Sequence, residues 1–117
     1  MPVRAYELMV IFDSGLDDLA IDDQVKSVAA QVATRGAAVV SADRWGRRRF
    51  AYEIDHKTEG YYVVWEITSD GADLEALERF LRLADEVVRH KLVRLPDHEA
   101  ARRGLVGAQA QPAPAAG

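Results

Sequence analysis

The first hydrophobic stretch, "RAYELMVIF", alternates. Tyr6, Leu8, Val10 and Phe12 fall on one side; Ala5, Glu7, Met9 and Ile11 fall on the other. A two-residue period of β-formers predicts a strand, and apolar residues on both sides predict a central one, or one whose second face is covered. "DSGLDD" breaks the pattern: Asp13 and Ser14 are candidate helix caps, and Asp17 and Asp18 suit the positive end of a helix. Over residues 16–35, Ile21, Val25, Val28, Ala29 and Val32 recur at helical spacing while Asp22, Asp23 and Lys26 lie off that stripe, and Arg35 and Gly36 are stop signals. A second strand covers residues 38–54, with Gly46 inside it predicting a bulge. After the polar turn "DHKTEG", the stretch "YYVVWEIT" is a third strand, with Tyr61, Val63, Trp65 and Ile67 opposite Tyr62, Val64, Glu66 and Thr68. Leu74, Leu77, Phe80, Leu81 and Ala84 predict a second helix over residues 72–84, and "EVVRHKLVRL" a last strand ended by Pro96.

The order β-α-β-β-α-β predicts an α+β, ferredoxin-like domain over residues 1–96: a four-stranded antiparallel sheet with two helices on one face and the other face open. The remainder, "DHEAARRGLVGAQAQPAPAAG", is rich in alanine, glycine and proline with little to bury. It predicts a disordered tail over residues 97–117, with a short helical start at "HEAARR".

Composition narrows the classes. The 117 residues include no cysteine, so there is no disulfide framework and no thiolate metal site, which fits a reducing, cytoplasmic compartment. The N-terminus lacks the apolar core and cleavage site of a signal peptide, and no apolar run approaches the roughly 18 residues of a membrane span. A net charge of -4 argues against nonspecific nucleic-acid binding by the whole molecule. Yet "RWGRRRF" concentrates Arg44, Arg47, Arg48 and Arg49 on one arm of the second hairpin, with Lys57 across its turn. Arg47 and Arg49 point one way and Arg48 the other, unless a bulge at Gly46 resets the phase. Arg4, Lys91 and Arg94 stand on other strands. One reading of the cluster is phosphate contact. The other is a charged edge that blocks strand-to-strand association, with Asp43, Glu53, Asp55 and Glu59 as local pairing partners.

Trp45, Tyr52, Tyr61, Tyr62 and Trp65 interleave with these cations. Tyr52 and Trp65 read as core residues packed on the helices. Tyr62 and Val64, beside Met9 and Ile11, read as an exposed apolar surface for a protein partner. The third strand matches the RNA-recognition-motif pattern poorly: Glu59 is acidic, Tyr62 is bulky, and position 63 holds Val63, which argues against free base stacking. His56, His90 and His98 have no ligand spacing, and Ser14, Ser27, Ser41 and Ser69 sit in no nucleophile elbow. There is no glycine-rich phosphate loop, and no asparagine of the kind an acylphosphatase-like site needs. The inventory reads as no catalytic residue, no metal site, no cofactor and no small-molecule substrate: not an enzyme.

Four stretches carry a resemblance: "YELMVIFDSGLD", "WGRRRFAYEI", "EGYYVVWEI" and "RLADEVVRHKLVR". Together they cover about residues 3–95, and in them the chain resembles the bacterial small-subunit ribosomal protein six family. The resemblance implies a non-catalytic component of the small ribosomal subunit, located in the cytoplasm on the ribosome. It implies binding to the central domain of 16S ribosomal RNA, at the platform, as a heterodimer with the basic small-subunit ribosomal protein eighteen. Arg4, Arg48 and Arg49 match basic positions of the family motif, Tyr6 and Tyr52 match its aromatics, and Arg47 replaces an apolar residue. The expected RNA-binding set is therefore Arg4, Arg47, Arg48, Arg49 and Lys57. The expected partner-protein set is Met9, Ile11, Tyr62 and Val64. The ending "AQAQPAPAAG" lacks the acidic, modifiable tail of some members. The alternative is a ligand-sensing ferredoxin-like regulatory module that forms homodimers through its sheet.

Overall fold

The computed structural model describes residues 3–54, 56–70 and 74–105. Asp55 of the hairpin turn and residues 106–117 of the expected tail lie outside that range. The elements follow the predicted order, with one addition: β1 (Arg4–Asp13), α1 (Asp18–Thr34), β2 (Ala38–Ile54), β3 (Lys57–Ser69), α2 (Leu74–Leu83), β4 (Val87–Arg94) and α3 (Asp97–Arg102). The four strands form one sheet in the order β2-β3-β1-β4, with every neighbouring pair antiparallel.

Strand alternation builds the core. Leu8, Val10 and Phe12 of β1 lie on the same face as Val63, Trp65 and Ile67 of β3, because Leu8 pairs with Trp65 and Val10 with Val63. These six residues are wholly enclosed beneath Ile21, Val28 and Val32 of α1 and Leu77 and Leu81 of α2. Phe12 meets Trp65 edge-on, with ring centroids 6.3 Å apart. The cap of α1 is neither Asp13 nor Ser14 but Asp17, which accepts from the Ala20 amide at 2.8 Å. Asp13 instead closes the preceding turn, accepting from the Gly15 amide at 2.8 Å.

Pairing of β1 with β3 stops at Asp13 and Gly60, whereas β2 and β3 are still paired at Arg49 and Glu59 and, after a break in register, again at Ile54 and Lys57. Residues 49–59 thus form a two-stranded arm beyond the four-stranded sheet, turned through His56 at a positive φ of 65°.

Two expectations need correcting. Tyr52 is not a core residue: it lies on this arm and is 72 % exposed, because neither helix reaches that end of the hairpin. Nor is the chain from residue 97 featureless. The expected helical start is α3, and it is packed, with Ala100 and Leu105 buried against Ala5 and Leu95 and half-buried Val40 alongside.

Candidate nucleic-acid and partner interface

The bulge decides where the arginines point. Arg44 pairs with Val63 and Arg47 with Tyr61, so both lie on the helix-bearing face although three residues separate them. An extra residue, with Gly46 at φ 87°, absorbs the change of phase. Arg44 then meets Asp22 of α1 at 2.6 Å. That ion pair holds its guanidinium above its ordinary pKa, first through the hydrogen bond it donates to Asp22. Arg47 donates to the Ser14 and Leu16 carbonyls at 3.2 and 2.6 Å and lies over the Tyr61 ring at 5.5 Å. It ties the loop between β1 and α1 to the hairpin. Lys57 reaches back to Asp13 at 3.0 Å. The Gly15 amide, and after it Lys57, lower the Asp13 pKa.

Of the local carboxylates expected to neutralise the cluster, Asp55 lies outside the described residues, and Asp43, Glu53 and Glu59 form no ion pair with it among them. Asp22 and Asp13, from outside the hairpin, take Arg44 and Lys57, and Asp43 accepts from Trp45 Nε1 at 3.2 Å. Arg48 and Arg49 are exposed and have no ion-pair partner among the described residues. Arg4 is also exposed and unpaired among them, but it stands at the far end of β1, roughly 30 Å along the strand from Asp13. It is not part of the hairpin cluster.

The helix-free face is built in rows across the sheet. Tyr62, Ile11 and Arg89 are neighbours in one row, Val64, Met9 and Lys91 in the next, then Glu66, Glu7 and Val93. Trp45 stacks nearly parallel on Tyr62, with rings 6.2 Å apart and 8° between planes, and Phe50 meets Tyr62 edge-on at 6.3 Å. Arg48 lies 5.3 Å over the Trp45 ring, so its guanidinium is held in place while its donors still face solvent. The four expected partner residues do share this face, but not as one exposed patch. Ile11 and Val64 are buried, and Met9 and Tyr62 are half-buried. The outermost apolar group is Trp45, at 41 % exposure. Phe50 packs close to Ile11 over Gly60, where the missing side chain leaves room.

The other end of the same face is closed. Arg103, just past α3, donates to Glu99 at 2.6 Å, Glu66 at 3.1 Å and Glu7 at 3.3 Å. Glu99 also accepts from Arg102, and these two arginines, Arg102 first, depress its pKa to about 2. The face opposite α1 and α2 is therefore polarised, with cations and aromatics toward the hairpin and a carboxylate-rich clasp under α3. Sequence reasoning missed Trp45 as the outermost group and missed Arg89 altogether. Their shared face depends on the bulge and on the register of β1 against β4, which residue spacing does not give.

A four-stranded antiparallel sheet, two helices on one face and a site that is surface rather than cleft define a ferredoxin-like binding scaffold. The sequence profile described as "Ribosomal protein S6" matches residues 5–94. The chain belongs to the ribosomal protein S6 family of the small ribosomal subunit. It is 44 % identical over 92 residues to small ribosomal subunit protein bS6 of Salinispora arenicola, covering 79 % of this chain and 96 % of that one. It is 39 % identical over 116 residues to the protein of the same name from Saccharopolyspora erythraea, covering 97 % and 98 %. The crystal structure of 30S ribosomal protein S6 from Thermotoga maritima superposes with a TM-score of 0.80 at 32 % identity, over 86 % of this chain and 95 % of that one. The P2 domain of the chemotaxis kinase CheA, from the same organism, shares the fold alone, with a TM-score of 0.54 and 17 % identity over 80 % of this chain and 99 % of that one.

Proposed function

We propose that this chain is a non-catalytic structural component of the small ribosomal subunit, working in the cytoplasm. In this reading it binds the central domain of 16S ribosomal RNA as a heterodimer with small-subunit ribosomal protein eighteen. The observation that carries the reading is the sorting of the hairpin cations. Arg44, Arg47 and Lys57 are tied to internal partners and fix the shape of the hairpin, while Arg48 and Arg49 have no ion-pair partner among the described residues and stand at the edge of an aromatic surface. Guanidinium groups so placed suit phosphate oxygens, and neutralising them releases counterions. Arg4 is a separate contact at the far end of the sheet. Beside the arginines, the Trp45–Tyr62 surface with Met9 suits a protein partner, which supplies the positive charge that a chain of net charge -4 lacks.

The test is affinity for a transcribed central-domain fragment of 16S RNA, with and without the partner protein. The chain alone should bind weakly and the pair far more tightly. Arg48→Ala and Arg49→Ala should each weaken the pair about five- to tenfold and reduce the salt slope by about one. Arg44→Ala, which removes a cation already facing Asp22, should leave the slope unchanged. Tight binding without the partner, or indifference to both Arg48 and Arg49, would contradict the reading.

A further inference from the structure

Tyr52 has no visible structural task among the described residues. It is 72 % exposed and makes no ring contact or hydrogen bond with any described residue. It stands on the arm beyond β1, in the irregular stretch of β2 between the paired Arg49–Glu59 and Ile54–Lys57. The surroundings are small or polar: Ala51, Glu53, His56 and Thr58 are all exposed. Three residues back along β2 is Arg49, whose guanidinium has no anionic partner among the described residues.

Resting on the RNA-binding reading above, we propose that Tyr52 is a stacking platform for one unpaired base of the RNA, with Arg49 on a neighbouring phosphate. A planar ring with few rotatable bonds loses little entropy on contact, and stacking accepts any base whose face is free, as in loops and bulges. A protein partner is the poorer fit. Aromatic anchors for proteins sit in apolar, water-excluding surroundings, and among the described residues the aromatic cluster near the hairpin lies at Trp45, Tyr62 and Phe50. The arm thus divides recognition between a guanidinium that takes charge and a ring that takes a base plane.

The experiment uses the full chain with its partner protein and the central-domain 16S fragment, comparing wild type, Tyr52→Ala, Tyr52→Phe, Arg48→Ala and Arg49→Ala. We expect Tyr52→Ala to weaken binding about tenfold with an unchanged salt slope and an unchanged melting temperature. Tyr52→Phe, which keeps the ring, should stay within about twofold of wild type. If Tyr52→Ala binds like wild type while Arg48→Ala and Arg49→Ala weaken, the stacking proposal fails and the RNA reading stands. Should none of the three alanine variants change RNA affinity, both fail. If Tyr52→Ala weakens only the protein–protein association measured without RNA, the ring is a protein contact and the proposal is overturned.

Discussion

Gly60 shows how much of the site depends on a single position. A Cβ there would overlap Ile11 Cγ2, sit 3.0 Å from Phe50 Cζ and lie 3.1 Å from the Phe12 carbonyl oxygen. The backbone oxygen cannot swing aside as a side chain can. Gly60→Ala should therefore cost about 1–3 kcal/mol by urea unfolding. It should also shift the ring signals of Phe50 and Tyr62, since Phe50 packs on both Gly60 and Tyr62. Wild-type stability with unmoved ring signals would show that the space over Gly60 is not filled as described. At this scale the sequence was only partly legible. Trp65 reads correctly as core from its parity with Val63 and Ile67. Tyr52 does not, because parity says which side a residue faces but not whether anything lies on that side. Pairing of β1 ends at Gly60, so the arm that carries Tyr52 extends past the helices.

Secondary-structure elements were easier to foresee than their contacts. Period-two and helical spacing located all four strands and both long helices, and the glycine in β2 marked the bulge where pairing shifts between Arg44 and Gly46. The packing of α3 was hidden because Ala100 and Leu105 are too few to form a periodic stripe, and an alanine- and glycine-rich stretch resembles tail. Ionic contacts supply what apolar area does not, since Arg103 joins carboxylates from β1, β3 and α3. This gives α3 a pH dependence. Glu99 titrates at about 2 in the folded chain against an ordinary 4.5, so its contribution is complete above 4.5 and is lost as pH falls from there toward 2. We expect the Glu99 carboxyl to titrate well below the other exposed glutamates by NMR. The Leu105 methyl signals should leave their packed positions in the same window, before the Trp65 ring signals change. A Glu99 midpoint near 4.5, or Leu105 signals unmoved down to pH 2, would contradict this.

Taken whole, the molecule resolves the conflict between an acidic chain and a basic hairpin by separating its charges. The strand order β2-β3-β1-β4 brings Arg89 and Lys91 of β4 onto the same face as Tyr62 and Val64 of β3, across β1. Meanwhile Glu7, Glu66 and Glu99 gather around Arg103 at the opposite end. Order and spacing of the elements were visible in the sequence, but this polarity required the register. In the proposed reading the face opposite α1 and α2 meets RNA and a protein partner, whereas in a homodimeric sensor on the same fold it would meet a second copy of itself. The most direct test is a map of a small ribosomal subunit that contains this chain. The account requires the Arg48 and Arg49 guanidiniums to lie within hydrogen-bond distance, about 3 Å, of RNA phosphate oxygens, with another polypeptide covering Trp45 and Tyr62. Finding both arginines and that face in bulk solvent inside the assembled particle would contradict it.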